Sequence, residues 1–505
     1  MPDWNSGYIT DINYTAGYYE PLNPLRARLA FACKGVAFPE IRTACELGFG
    51  EGVSIGIHAA ASDAAWYGTD FNASQVNFAR CLAGDMADLR DASFEEFLEA
   101  PDLPDFDFIG LHGIWSWISP ENQQRIVDFV RRKCRVGGVF YISYNVYPGW
   151  SAFAPLRHLA KLHYDSMGAP VNGVEARVKE AFSFLTRCAG VQPAFMTRNP
   201  VAAERLEHTS RLNARYLAHE YFNMFWEPVY FADMLKKLSE AKLNYACSAA
   251  LLDQVANFNL SREQQEFLSA IPDPMLREST FDFMINQQFR RDYWVRGARR
   301  LGRVEQARIL RGLPVVLTSP ASLPLTFKCV RGEVKLEGKL YAAVLDCLAD
   351  HRPHTIGELE RHASENSFAE LISAVLVLSG AGYVTAANSA ETAEAVSGKC
   401  ATFNRRVMES TRDNAGVSFC ASPVTGGGVP VDRFEQLFLE AMSSGCADSA
   451  GMAGYAWRIL EERGERLLRE GAALESPEEN LAELTRKAGD FLEKRMPLLK
   501  VLGVC

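Results

Sequence analysis

Residues 44–52 read Ala-Cys-Glu-Leu-Gly-Phe-Gly-Glu-Gly, and no other stretch of the chain constrains its fold as tightly. A short run that ends in an acid and three alternating glycines predicts a strand, a turn that enters left-handed backbone space, and a helix start. Backbone N–H groups crowd at such a turn and close on a ligand at the mouth of a βα unit. Glu46 decides the chemistry of that ligand. Turns that hold a pyrophosphate avoid a carboxylate, which repels phosphate. Glu46 with Gly48, Phe49, Gly50 and Gly52 therefore predicts a cationic nucleoside. S-adenosylmethionine, which carries an amino group and a sulfonium and no phosphate, is the candidate cofactor.

A second acid falls where a ribose-binding carboxylate is required. Residues 65–70 read as a strand ending in Asp70, followed by Phe71, about 20 residues past the glycines. Asp91 and Ala92 lie where a carboxylate and a backbone N–H would hold an adenine. Ser93 with Glu96 equally reads as a helix-capping box, and both readings stand. Residues 103–112 give a further buried strand, then a helix carrying Ile126, Val127, Phe129 and Val130, then a strand over 137–145. Strands alternating with helices predict a parallel, doubly wound α/β sheet with its ligand at the strands' carboxyl ends. Glu46, Asp70, residues 112–117 and residues 144–150 all fall at such ends.

The remaining chain organises around that core. Its 505 residues suit roughly three domains. A net charge of −9 disfavours broad nucleic-acid or anionic-membrane binding. Twelve scattered cysteines contain no C-x-x-C pair and read as buried thiols in a reducing compartment. The amino-terminal residues lack a secretion signal and no apolar run reaches the roughly 18 residues of a membrane span, so a cytoplasmic location without membrane insertion is expected. His351-Arg352-Pro353-His354 reads as a turn, and no metal is expected.

We divide the chain into residues 1–150, the first part of the catalytic core; 151–219, a helical insertion fit to be a lid, a dimer surface or both; and 220–300, where strands near 241–247 and 286–295 complete the sheet. Residues 301–390 have a winged-helix layout, with helices over 340–350, 355–362 and 367–378 and a strand from 382. No Lys or Arg occurs between 363 and 398, so a protein-interaction or packing role is preferred there over DNA binding. Residues 391–505 are mostly helical, with a flexible loop at 423–430. Beyond it Ser476-Pro477-Glu478-Glu479 starts a helix whose Leu481, Leu484, Ala488 and Phe491 form a core stripe.

The segments 46–52, 68–72, 111–119 and 143–150 resemble those of bacterial class I S-adenosylmethionine-dependent methyltransferases with a methyltransferase regulatory domain. Within that group they are most similar to rickettsial-type protein-lysine methyltransferases that modify outer-membrane proteins. The resemblance implies a Rossmann-like cofactor domain, a homodimer formed through 151–219, and accessory carboxyl-terminal domains that engage a large substrate, such as an outer-membrane protein before export.

Methyl transfer from a sulfonium is an in-line displacement, which needs alignment and a neutral nucleophile more than strong acid-base groups. Aromatic faces attract a cationic donor and a cationic lysine and exclude water. Tyr14, Tyr18, Trp115, Trp117, Tyr144, Tyr147 and Trp150 are the candidate channel. Asn145 is the candidate hydrogen-bond partner of the amine, and His112 orients the cofactor or relays a proton. Three functions remain open on these residues: a protein-lysine methyltransferase, a methyltransferase for a small molecule or cell-surface glycan, and a non-catalytic protein that senses S-adenosylmethionine.

Overall fold

The structure, a computed structural model, describes residues 17–167, 173–320, 325–336, 338–412, 416–469 and 472–505. At its centre lies a seven-stranded sheet in the order β3-β2-β1-β4-β5-β7-β6. The strands are β1 (Thr43–Leu47), β2 (Ala65–Asp70), β3 (Ala87–Asp91), β4 (Phe106–Leu111), β5 (Cys134–Asn145), β6 (Leu243–Ser248) and β7 (Phe289–Arg296). β1 to β5 run parallel, and β7 is antiparallel to both β5 and β6. Every strand expected from the sequence is present, and β3 is an addition. Its residues are polar because it is the sheet's edge, and Leu89 alone among them is buried.

Helices cover both faces, which is why the central strands read as continuous apolar runs. On one side α1 (Pro24–Cys33), α2 (Val53–Ala60) and α3 (Ala73–Ala83) pack on Ala44, Trp66, Phe108 and Tyr141. On the other, α4 (Phe94–Glu99), α5 (Pro120–Lys133) and the helix Phe231–Ser239 pack on Cys45, Ile109 and Ile142. In α5 the buried residues are Ile126, Val127, Phe129 and Val130. Each such side chain contributes about 1.5–3 kcal/mol on burial.

Between β5 and β6 stand the helices Ala154–Ser166, Gly173–Gly190, Ala194–Arg198, Pro200–Thr209 and Ala214–Tyr221, around their own core of Phe153, Leu185, Leu206 and Phe222. Where three helices and a strand were expected over 340–387, the helices Lys339–Cys347, Ile356–His362 and Phe368–Gly380 occur, and the strand Val384–Ala386 pairs with Pro314–Leu317. Among the described residues no helix is long and apolar enough to cross a membrane.

The carboxyl-terminal part is built onto the core through α2 and α3. All eight residues of α2 are buried, so this helix is covered on every side. Its outer cover is the helix Ala390–Arg412, whose fully buried Phe403 stands over Gly56. A Cβ at Gly56 would come within 2.7 Å of that ring. Polar side chains complete the joint. Asn388 Nδ2 donates to the Ala61 carbonyl at 3.1 Å, Lys399 Nζ to that of Ser62 at 2.6 Å, and an Arg406 guanidinium nitrogen to that of Leu82 at 3.2 Å. Helix carboxyl ends carry orphan carbonyls and partial negative charge, so donors and cations at these places satisfy both.

Two expectations for this part change. Residues 423–430 are not a flexible loop, because Phe419–Ser422 and Gly427–Pro430 pair as an antiparallel hairpin. Its glycines are needed because the hairpin lies directly on Tyr18: a Cβ at Gly428 would sit 2.8 Å from that ring. In the last long helix, capped by Ser476 as expected, Leu484, Ala488 and Phe491 are buried while Leu481 is 39% exposed.

Because Phe403 joins the two parts, Phe403→Ala should destabilise the protein by about 3–5 kcal/mol. Urea unfolding measures this, and a midpoint equal to wild type would show that the helix is not docked on α2.

Candidate functional site

The turn from β1 into α2 shapes the site. Gly48, Gly50 and Gly52 have φ of 68°, 58° and 71°, left-handed values that an L side chain resists. Two are also pressed from outside: a Cβ at Gly48 would lie 2.7 Å from Ile114 Cδ1, and one at Gly52 2.4 Å from Ala79 Cβ. Asp70, at the end of β2, fastens the turn. One of its oxygens accepts from Gly50 N–H and the other from Asn72 N–H, each at 2.9 Å.

Above this turn, at the carboxyl ends of β1, β2, β4 and β5, lies a cavity of about 410 Å³. Among the described residues its lining holds the carboxylates of Glu46, Glu51, Asp70 and Glu220 and no Lys or Arg. Glu46 is buried and its Oε2 has no hydrogen-bond partner. Burial, with the nearby Asp70 charge, pushes the Glu46 carboxyl up to about 8. Burial likewise lifts Asp70 to about 6 against the pull of its backbone hydrogen bonds, and lifts Glu51 to about 7. A buried acid without a partner favours a cation beside it. Glycine turn, orphaned Glu46 oxygen and the adjacent Asp70 together fit a cationic nucleoside.

Of the residues picked from the sequence for the cofactor, Glu46, Gly48, Phe49, Gly50, Gly52, Asp70, Phe71, Ala92 and His112 line the cavity. Asp91 does not. It is exposed at the end of the edge strand, and Ser93 and Glu96 form the capping box of α4. His112 is fixed from two sides: its Nδ1 lies 2.7 Å from the Tyr141 hydroxyl, and its ring stacks on Tyr19 at 3.9 Å. Burial, with the positive charge of Arg291, lowers its pKa to about 3. A neutral imidazole of that kind orients a ligand and is unsuited to relay a proton near neutral pH.

The aromatic candidates divide. Trp117, Asn145 and Trp150 line the cavity. Trp115 is in the core between the sheet and α5, on the far side of the short 3-10 helix Trp115–Trp117. Tyr144 is also in that core, and its hydroxyl donates to Asp292 at 2.6 Å, an acid paired with Arg290 at 2.8 Å. Strand periodicity explains this: Tyr141, Ser143 and Asn145 share one face of β5, so Tyr144 takes the other. Tyr18 is half-buried beneath the glycine hairpin with its hydroxyl 3.2 Å from His58 Nε2, and Tyr147 is half-buried beside Tyr230 at 5.3 Å. Tyr14 lies outside the described residues.

Sequence reasoning passed over Tyr19 and the helix Ala214–Tyr221, which brings Tyr216, His219, Glu220 and Tyr221 to the cavity. Tyr19 faces the cavity while its neighbour Tyr18 faces the hairpin, and Ser54 Oγ accepts from Tyr19 N–H at 2.9 Å. The paired tyrosines were a usable signal. Helix 214–221 carried none beyond ordinary amphipathic spacing.

The raised acids predict a pH dependence of the ligand-free protein. An acid held above its unfolded value contributes stability at low pH and loses it as pH rises through the folded value, here about 8 for Glu46. Wild type should therefore lose on the order of a few kcal/mol relative to Glu46→Gln between about pH 5 and pH 8. Thermal melts across that window test this, and parallel curves for the two proteins would refute it.

Comparison with known proteins agrees with this geometry. A family model described as "Predicted methyltransferase regulatory domain" matches residues 213–296. An uncharacterized protein of Synechocystis sp. is 37% identical over 512 residues, 99% of each chain. An uncharacterized protein of Rickettsia prowazekii is 24% identical over 291 residues, 55% of this chain and 51% of its own. Among solved structures, PKMT2 from Rickettsia typhi in complex with AdoHcy superposes with a TM-score of 0.71 over 97% of this chain and 100% of its own, at 17% identity, a likeness of fold. The chain belongs to the family of the Synechocystis protein, and its residues 213–296 match the methyltransferase regulatory domain model.

Proposed function

We propose that this protein is an S-adenosylmethionine-dependent methyltransferase whose acceptor is a lysine side chain of a protein. The observation that carries the reading is the charge of the cavity: four carboxylates, no Lys or Arg among the described lining residues, and a glycine turn beneath. The AdoHcy complex of the similarly folded rickettsial protein supports the cofactor. Glu46 would hold the cofactor's amino group, Asp70 its ribose hydroxyls, and the turn at residues 48–52 its backbone-facing edge. Bound there, the cofactor supplies an electrophilic methyl group carried on a sulfonium.

The chain's own residues prepare the acceptor. Trp117, Trp150 and Phe289 would wall the acceptor, and because the lining carboxylates favour the charged ammonium while burial disfavours it, the proton would leave to solvent before the amine is enclosed. The side-chain amide of Asn145 is placed to hydrogen-bond the amine. Its Oδ1 would accept from the amine, and its Nδ2, buried without a partner, would be relieved by a ligand carbonyl. His112, held by Tyr19 and Tyr141, would position the ligand as a neutral ring near neutral pH.

Two measurements test the proposal. Asp70→Ala should weaken S-adenosylhomocysteine binding by roughly 10- to 100-fold in calorimetry, a loss of about 1.4–2.8 kcal/mol. Unchanged affinity would remove Asp70 from the site. Incubation with labelled S-adenosylmethionine and a bacterial lysate, followed by mass spectrometry, should place the label on lysines of proteins. Label confined to small molecules would reject the protein acceptor, and tight cofactor binding with no label would favour a sensor.

A further inference from the structure

The matched regulatory domain begins at residue 213, and its first helix, Ala214–Tyr221, forms a wall of the cavity itself. Resting on the methyltransferase reading, we infer that this helix selects the acceptor: Glu220 attracts a cationic, peptide-borne amine, and Tyr216, which lines the same cavity as Trp117 and Trp150, receives its alkyl stem.

Several independent features support this role. The helix is held firmly at the cavity. Trp117 Nε1 donates to the Glu220 carbonyl at 3.2 Å, and the Arg157 guanidinium donates to the carbonyls of Tyr221 at 2.8 Å and Asn223 at 2.9 Å, just where the helix ends. Tyr221 meets the Trp150 ring edge-on at 6.0 Å, and the Arg205 guanidinium lies 4.0 Å from the same ring, fixing it. Glu220 lines the cavity, and its charge, after burial and Glu46, helps raise the Tyr19 phenol to about 12. Tyr216 is 38% exposed, so it stands at the rim where an entering side chain would pass.

Two polar atoms at this end point to a ligand. Asn145 Nδ2 and Trp150 Nε1 are both buried without a partner, in residues only 2% and 3% exposed that line the cavity. Buried donors left unpaired are costly, and peptide carbonyls flanking the amine would satisfy them. Rings with a carboxylate nearby match an alkylammonium, whose charge is attracted to ring faces and whose stem is apolar. An anionic acceptor would meet the carboxylates of a lining that holds no Lys or Arg among the described residues.

The test uses the full-length protein. S-adenosylhomocysteine binding is measured by calorimetry. Nα-acetyl-lysine methylamide is then titrated in its presence, with the Nε-acetylated compound as the uncharged control, and methylation of poly-L-lysine is followed with labelled S-adenosylmethionine. Glu220→Gln should keep its S-adenosylhomocysteine affinity within about twofold, weaken binding of the lysine probe about tenfold or more, and raise KM for poly-L-lysine more than it lowers kcat. Tyr216→Ala, at a half-open position that tolerates truncation, should weaken the lysine probe with the cofactor affinity kept. Wild-type protein that binds the cofactor and methylates poly-L-lysine, with both variants showing unchanged probe affinity and KM, would overturn the inference while leaving the methyltransferase reading intact. Equal affinity of wild type for the acetylated control, or no binding of the lysine probe, would overturn it as well. Failure to bind S-adenosylhomocysteine would instead overturn the methyltransferase reading.

Discussion

The hydrogen bond from Gly50 N–H to Asp70 ties the end of β1 to the end of β2, and the site depends on that tie. Three left-handed glycines let the chain reverse closely enough for the bond to form, and Gly52 then starts α2 against Ala79 of α3. A side chain at any of these positions would open the turn. The same geometry leaves Glu46 buried with one oxygen unpaired, which costs stability in the ligand-free protein and favours a cation. Such a trade of stability for binding is common at functional sites.

The carboxyl-terminal part connects to this turn at two places. Asn388, Lys399 and Arg406 satisfy carbonyls where α2 and α3 end, so the helix that begins at the glycine turn is held at its far end by residues more than 300 positions away. The glycine hairpin meanwhile seats Tyr18, and the adjacent Tyr19 covers His112. The accessory region is therefore packed against both the floor and the cover of the cavity. The regulatory region shares in the site too, since its strand β7 carries Phe289 and its first helix carries Tyr216 and Glu220 to the lining.

Much of the core was legible because its signals are local. The glycine spacing, the acid that ends each strand and the alternation of strands with helices each follow from neighbouring residues, and the sheet forms as they indicate. The misread positions share another cause. Tyr144 and Asn145 are adjacent on a strand and must face opposite sides, so both could not enter the cavity, a constraint of period two that the sequence already contained. Trp115 and Trp117 divide across a single turn of helix in the same way. Gly426, Gly427 and Gly428 read as a loop because glycine signals flexibility locally, whereas here the missing Cβ makes room for Leu25 at Gly426 and for Tyr18 at Gly427 and Gly428.

The sequence by itself determined the α/β class, the position of the ligand turn and the acids Glu46 and Asp70, because backbone strain at glycine and strand-end placement are properties of short segments. Tertiary structure decided which aromatic rings reach the cavity, that the hairpin and the helix Ala390–Arg412 pack beside it, and that the helix Ala214–Tyr221 forms one of its walls. Those outcomes depend on side chains far apart in the chain meeting in space. No periodicity within a helix or strand records which distant surface it will meet.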